Sequence, residues 1–407
     1  DNNLSLEGKR KEIQRSKYGV SENRSKLLPQ INAIAGYSNN FDPPVSVTDG
    51  SSYGVPYNIT QTLQHSANAG LEMQMPLFNQ TLYTSMSIAK VMEEISRLSY
   101  GKAREDVILQ ISKMYYLGQV TAEQIMLIKA NITRLEELRD ITQAFFDNGM
   151  SMEVDLKRVN INLENLKVQY DNAQAMMKQQ LNMLKYIMDY PAEKEIALTP
   201  VNTDSITTVA LTGLSENIYE LQLSQSQVQL AERQKKIITN GYIPSLSLTG
   251  SWRYAAYTDK GYHWFHSGPS NQWFRSYGVG LTLRIPIFDG LDKTYKIKKA
   301  MIDIENKRLA WEDARKNLQT QYLNAVNDLM NNQRNFKKQK DNYLLAEDVY
   351  AVTSDRYREG IASMTEVLQD EMQMSEAQNN YISAHYNYRV TNLMLLKLTG
   401  QIESLVK

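Results

Sequence analysis

Proline placement constrains this 407-residue chain more than any other feature. Its ten prolines lie at positions 29, 43, 44, 56, 76, 191, 200, 244, 269 and 286. None falls in 77–190 or 287–407. Both long stretches therefore lack the residue that breaks a helix by removing a donor and clashing with the preceding turn. Both are rich in Leu, Met, Glu, Lys, Gln and Arg, the good helix formers. An apolar stripe runs Leu156, Val159, Leu163, Leu166, Tyr170, Ala173, Met177, which is the alternating three-and-four step of a coiled-coil seam. Ile125, Ile128, Ile132 and Leu135 step the same way. Charges and amides fill the positions between, as on a solvated helix face. By itself this stripe specifies a helical bundle and nothing more.

The proline-bearing segments read differently. In 66–77, Ala67, Ala69, Leu71, Met73, Met75 and Leu77 alternate with Ser66, Asn68, Gly70, Glu72, Gln74 and Pro76. In 273–287, Trp273, Tyr277, Val279, Leu281, Leu283, Ile285 and Ile287 share a face with Arg275, opposite Ser276, Gly278, Gly280, Thr282 and Arg284. In 245–254, Leu246, Leu248, Trp252 and Tyr254 oppose Ser245, Ser247, Thr249, Ser251 and Arg253. Segment 30–38 is a weaker fourth case. Period two with one apolar and one polar face predicts strands. Each is close to the roughly 9 to 11 residues of a membrane-spanning strand. Trp252, Tyr254, Tyr257, Trp264, Phe265 and Trp273 cluster near one end of the second pair, as an interfacial girdle would. The competing reading of this pattern is a half-buried sheet packed on a helix.

The chain also repeats itself. Gly70-Leu71-Glu72-Met73-Gln74-Met75-Pro76-Leu77-Phe78-Asn79 returns as Gly280-Leu281-Thr282-Leu283-Arg284-Ile285-Pro286-Ile287-Phe288-Asp289, a shift of about 210 positions. At nearly the same shift Phe146 meets Tyr357, Gly149 meets Gly360, Asp155 meets Glu366, Tyr170 meets Tyr381 and Leu184 meets Leu395. A duplicated helix-strand-strand-long helix-helix unit is expected. The first repeat spans 1–189, with strands at 30–38 and 66–77, a long helix at 81–147 and a turn at Gly149. A connector follows at 190–213. The second repeat spans 214–407, with strands at 243–257 and 273–288, a long helix at 291–358 and a turn at Gly360. Each long helix would be roughly 100 Å at 1.5 Å per residue. Two shorter helices match it on the return, 151–188 with 214–240 and 361–399 with 4–26, so both strand pairs lie at one end and both glycine turns at the other. Four strands cannot close a barrel, and an open sheet edge cannot face lipid. If the strands are in a membrane the chain must oligomerise, and three copies supply twelve antiparallel strands, an even number as such barrels use.

Composition removes other classes. Cysteine is absent, which excludes disulfides, thiolate metal sites and cysteine nucleophiles. The 45 basic and 45 acidic residues cancel, so no global attraction to nucleic acid arises. No run reaches the roughly 18 to 20 apolar residues of a helical membrane span. No phosphate-binding glycine loop or catalytic triad order is present. The pair His263 and His266 lies in an aromatic loop without an acidic cluster, so no metal site is assigned. The methionines stand at helical spacing and read as adaptable core. Neither a cofactor nor an enzymatic role is expected. No signal peptide opens the chain, which a processed secreted precursor would already have lost.

Across essentially its whole length the chain resembles the TolC-like outer-membrane efflux protein family. The resemblance rests on the duplicated unit, the strand exits Pro76-Leu77-Phe78 and Pro286-Ile287-Phe288, and the glycines 149 and 360. It rests also on Tyr357-x-x-Gly360-x5-Glu366-Val367-Leu368 and on the closing Leu395-x-x-Leu398-Thr399-Gly400. Family members usually carry further helical turns before the position of Asn2, so the chain reads as processed or trimmed there. The resemblance implies a mostly α homotrimer with a β membrane part. A twelve-stranded transmembrane β-barrel, four strands per protomer, would stand in the outer membrane of a Gram-negative bacterium and continue as a long α-helical barrel across the periplasm. Implied partners are a periplasmic adaptor protein, an inner-membrane transporter of RND or ABC type and outer-membrane lipid, with no nucleic acid. Leu71, Met73, Val279, Leu281 and Leu283 would face lipid, and the polar strand faces would line the pore.

The resemblance also places a gate at the periplasmic tip. Relatives carry a ring of carboxylates at the positions of Glu366 and Gln369, so one acid is kept and one is an amide, with Asp370 beside it. Asp370 aligns with Val159 and is therefore expected at the helical seam, where a charge is tolerated only if it faces water. Helix N-termini favour acids through the macrodipole in any case. Relatives also lock the tip with a tyrosine, an arginine and an aspartate. Tyr357 and Asp155 match, but the arginine position holds Ala362, so the lock is broken or rebuilt through Arg356 or Arg358. Gly149 and Gly360 mark the tips that would meet the adaptor. The main reading is a passive exit duct for small molecules such as drugs and toxic compounds. A protein-secretion duct of the same family, a structural coiled-coil protein and a periplasmic adaptor are the alternatives. An adaptor has one helical hairpin flanked by small β-domains, and a coiled-coil protein does not need two lipid-length strand pairs.

Overall fold

A computed structural model describes residues 3–49, 51–61, 63–200, 213–259 and 272–406. In chain order the elements are α1 (Leu4–Ser25), β1 (Gln30–Asn39), β2 (Val45–Asp49), β3 (Tyr57–Gln61), β4 (His65–Phe78), α2 (Gln80–Asp147) and α3 (Glu153–Met188). Then come α4 (Tyr219–Asn240), β5 (Ser245–Thr258), β6 (Trp273–Arg284), α5 (Asp292–Arg358) and α6 (Met364–Leu398). The proline-free stretches do become the long helices, of 68 residues in α2 and 67 in α5. No helix among the described residues is long and apolar enough to cross a membrane. Two compact units emerge. One comprises Asp1–Ile13, Ser96–Gln225 and Leu309–Lys407, the other Gln14–Ile95 and Ser226–Arg308.

The second unit holds an antiparallel sheet of order β1-β4-β5-β6. Its register joins the faces that period two predicts. Ile31 lies opposite Met73, Met73 opposite Gly250, and Gly250 opposite Val279. In the next rows of the same face Ala33, Leu71, Trp252 and Tyr277 run across the four strands, and Met75, Leu248 and Leu281 across three. The opposite face carries Asn32, Glu72, Ser251 and Gly278 in one row, and Glu72 there forms an ion pair with Arg253. Tyr257 pairs with Ser66 and so falls on the polar face, away from Trp252 and Tyr254. Trp264 and Phe265 lie outside the described residues.

Two differences from the sequence expectation concern strand ends. The predicted strand 273–288 stops at Arg284. β4, by contrast, runs through Pro76 to Phe78 with a bulge between those residues. Proline lacks the ladder donor in both places. β4 lies between two partners and absorbs the defect, whereas β6 is an edge strand with one partner and ends before Pro286. The loop joining β1 to β4 also folds into a ribbon, β2 with β3, from Val45 opposite Gln61 to Asp49 opposite Tyr57. Its five-residue strands do alternate, Val45 and Val47 against Ser46 and Thr48, Tyr57 and Ile59 against Asn58 and Thr60, a signal absent from the sequence expectation.

The first unit is helical. The predicted seam of α3 is present: Val159, Leu163, Leu166 and Ala173 are buried, with Tyr170 packed against them. They meet Ile128, Leu135 and Leu138 of α2, Tyr350 and Tyr357 of α5, and Met364, Val367, Leu368 and Met374 of α6 in one core. Burying each such leucine or methionine contributes about 2 kcal/mol. A second core gathers Ile218 and Leu221 of the α4 region, Leu318, Ala325 and Leu329 of α5, and Tyr388, Leu395 and Leu398 of α6. α4 begins at Tyr219 where a start near 214 was expected. Residues 189–200 of the connector form no helix or strand. They are held to α2 by a hydrogen bond from Gln119 Nε2 to the Thr199 carbonyl at 2.7 Å, and Leu198 packs where a side chain on Gly118 would stand.

Candidate functional site

Gly149 and Gly360 end α2 and α5 with the same turn. Their φ angles are +73° and +74°, a left-handed conformation that glycine adopts without a Cβ clash. At the first turn Gly149 N donates to Phe146 O (2.9 Å) and Met150 N to Phe145 O (2.8 Å). At the second Gly360 N donates to Tyr357 O (2.9 Å) and Ile361 N to Arg356 O (2.8 Å). This is the Schellman cap, which satisfies the last helical carbonyls and reverses the chain. Met150, Met152 and Ile361 stand exposed on these tips.

The second tip opens α6 through a reciprocal cap. Glu366 N donates to Ser363 Oγ at 3.3 Å, and Glu366 Oε2 accepts from Ser363 N at 2.7 Å. The backbone and hydroxyl donors of Ser363 hold the Glu366 carboxyl below its ordinary range, with a smaller contribution from Arg356. Glu366 is thus an exposed, ionised carboxylate at a helix N-terminus. Its pattern, Ser-x-x-Glu before an apolar residue, was readable in the sequence as a capping box. Gln369 is exposed and Asp370 half-buried.

Asp370 is not at the seam. The buried face of α6 steps Met364, Val367, Leu368, Glu371, Met374 and Gln378, so Glu371 occupies the position expected for Asp370. Aligning Asp370 with Val159 misplaces the phase by one residue here, about 100° around the helix. Glu371 is 5% exposed, and burial raises its pKa against the opposing charge of Arg134. Glu371 Oε1 and Arg134 Nε are both buried without hydrogen-bond partners. Arg134 instead reaches Glu347 at 3.1 Å and also bonds Asn131, which accepts from and donates to Gln378. A single charge inside a regular apolar step was the signal for Glu371.

The two residues matched to a lock are held separately within one chain. Tyr357 is buried, its hydroxyl donating to Thr142 Oγ1 at 3.3 Å and its ring 5.6 Å from that of Phe145. Asp155 pairs with Arg158 at 3.4 Å, and Arg158 also donates to Thr365 Oγ1. Ala362 packs against the core. Arg358 binds Asp355 and Glu137 at 3.3 and 3.4 Å.

Farther along α6 a partly buried polar chain crosses to α2. Arg389 Nε donates to His385 Nε2 at 2.9 Å, so the imidazole proton resides on Nδ1 and is given to Glu123 Oε2 at 3.2 Å. Tyr381 donates to the other oxygen of Glu123 at 2.8 Å. Burial alone would raise the Glu123 carboxyl, but the bonds from His385 and Tyr381 outweigh it and hold it low. Among the described residues no group of three or more potential ligands could hold a metal. His263 and His266 lie outside them.

The chain matches the model of the family described as outer membrane efflux protein over residues 1–188 and 210–401. The outer membrane protein TolC of Vibrio cholerae is 21% identical over 399 residues, covering 94% of this chain and 84% of that one. The toluene efflux pump outer membrane protein TtgC of Pseudomonas putida is 23% identical over 379 residues, 88% of this chain and 75% of that one. Among solved structures CusC superposes with a TM-score of 0.80 at 16% identity, covering 98% of this chain and 89% of the other. The outer-membrane channel OprN does so with 0.78 at 15%, covering 98% and 87%. The long helices and the small sheet of this chain are therefore the fold that these outer-membrane channels share. This chain belongs to the outer membrane efflux protein family and is a TolC-like member of it.

Proposed function

We propose that the chain is the outer-membrane exit duct of a tripartite efflux system. It acts as a passive homotrimeric channel, not an enzyme, for small molecules leaving the periplasm or an inner-membrane pump. The carrying observation is the four-stranded sheet whose outer strands, β1 and β6, each have one partner within the sheet, with an apolar face across all four. Such edges are stable in a bilayer only when another chain closes them. Three copies give a twelve-stranded barrel with Leu71, Met73, Val279, Leu281 and Leu283 toward lipid, continued by a helical barrel in the periplasm. The repeats 1–189 and 214–407, joined by 190–213, supply equivalent positions around it. Support comes from matching caps: the left-handed turns at Gly149 and Gly360, and those at Asp189 and Gly400, are each about 210 positions apart.

The tips at Gly149 and Gly360 would meet a periplasmic adaptor, and through it a transporter of RND or ABC type. Glu366, with Gln369 and Asp370, would form the constriction when repeated three times. Tyr357 and Asp155 would steady the tip from within its core and its surface. The relatives whose names specify efflux pumps favour small molecules as cargo. Native mass spectrometry of detergent-extracted protein should give a trimer mass, and planar bilayers should show discrete conductance. A folded monomer, water-soluble without detergent, refutes the reading.

A further inference from the structure

At the base of the sheet, the second half of the chain carries a group of cations that the strand-to-helix junction does not require. The first two turns of α5 contain Lys293, Lys296, Lys298 and Lys299. Lys293 is held by Asp289 at 2.9 Å and Lys296 by Asp292 at 2.7 Å. Lys298 instead lies 5.6 Å from the ring centre of Tyr295. Across a groove of 960 Å³ stand Lys235 and Lys236 from the last turns of α4. No ion pair among the described residues involves these three lysines. Of the two acids on the groove, Glu232 is already bound by Arg308 at 2.7 Å. The corresponding exit of the first half, residues 79–89, contains no charged side chain. On the α5 side the cations are thus particular to the second half.

Its surroundings have the character of a membrane interface. Tyr242 and Tyr295 are exposed close by, and Lys293 sits 5.0 Å from the ring centre of Tyr242. Tyrosine rings flanked by lysines favour the boundary between hydrocarbon and water. Lys298 lies six residues into α5, about 9 Å along the axis and just beyond a headgroup layer of about 5 to 8 Å, so its long side chain must reach back to place the ammonium among the headgroups. Apolar Met301 and Ile302 line the groove beside the lysines and strengthen their attraction for an anion by lowering the local dielectric.

We propose that Lys235, Lys236 and Lys298 bind the phosphate of an anionic phospholipid headgroup in the periplasmic leaflet of the outer membrane. This rests on the reading that the sheet is membrane-embedded. The test compares the full chain with the variant Lys235→Gln, Lys236→Gln, Lys298→Gln in phosphatidylcholine vesicles with and without phosphatidylglycerol. Lipid retained on the trimer is read by native mass spectrometry. The parent should prefer phosphatidylglycerol by about ten-fold or more, and the variant should lose that preference while inserting normally. The Lys→Arg triple variant should keep it. An unchanged preference in the Gln variant overturns the proposal. So does displacement of the lipid by inorganic phosphate alone, which marks a free-anion site. Loss of the trimer with the preference intact assigns the lysines to a neighbouring copy and overturns it too. Failure of both proteins to insert into either vesicle refutes the membrane reading, and this inference falls with it.

Discussion

Glu105 offers a test of the helical unit that needs no knowledge of transport. It lies on α2, is 4% exposed, and its pKa is raised from 4.5 to about 7. Burial is the main cause; Lys397 opposes it, while Glu403 and Asp106 add to it. Between pH 4.5 and 7 the folded chain keeps a proton that the unfolded chain has released. Stability therefore falls as pH rises through this window, and the loss is complete above about pH 7. A rise from 4.5 to about 7 corresponds to roughly 3 kcal/mol. The neighbouring charges are partly exposed and screened, so about 2 kcal/mol is the working figure. Glu105→Gln removes the ionisation. At pH 8 it should raise the thermal midpoint of the detergent-solubilised protein by roughly 3 °C, and at pH 4.5 by almost nothing. Asp106→Asn is the control, because Asp106 holds Lys397 at 2.6 Å and its loss should not stabilise. An equal change for Glu105→Gln at both pH values, or destabilisation at both, would show that this carboxylate is satisfied where it lies and refute the reasoning.

Other outcomes follow from the same structure. Ser363→Ala should cost about 1 kcal/mol of stability in chemical denaturation, because it removes half of the capping box. Glu366→Gln combined with Asp370→Asn should reduce cation preference and block by trivalent cations in single-channel recordings; unchanged selectivity removes both residues from the constriction. Leu281→Arg should impair barrel insertion by about 2 to 4 kcal/mol while Thr282→Arg is tolerated, measured by recovery of folded trimer; equal damage means the faces are misassigned. Met374→Ala, at a fully buried site, should cost about 2 to 5 kcal/mol in the same denaturation assay.

Much of this architecture was legible because its signals are periodic. The alternation in 66–77 and 245–254 puts Leu71 and Trp252 on one face, and the register joins them as neighbours. The seam through Val159 and Leu163 followed from three-and-four spacing, and the tip turns from two glycines at equivalent places. What escaped was set by phase and partners. Asp370 and Glu371 are adjacent in sequence but about 100° apart on the helix, and the four-and-three step from Val367 to Met374, which points to Glu371, was overridden by the alignment with Val159. The arrest of β6 before Pro286 depends on its having one neighbour, which no local pattern records. The chain from Arg389 through His385 to Glu123 joins residues on different helices, and spacing along either gives no sign of it.

The central pairing of the sheet sets an order in time. β4 and β5 are joined across the polar face by Glu72 and Arg253, which stand 181 residues apart in the chain. Closing a flexible loop of that length carries an entropy cost of roughly 4 to 5 kcal/mol before any contact offsets it. The β1–β4 and β5–β6 pairings need much shorter loops and can form as local hairpins. The strand between the halves thus gains its second neighbour only after α2, α3 and α4 have been synthesised. Until then β4 presents an unsatisfied edge, and a chain stalled at that stage is the species most exposed to mispairing.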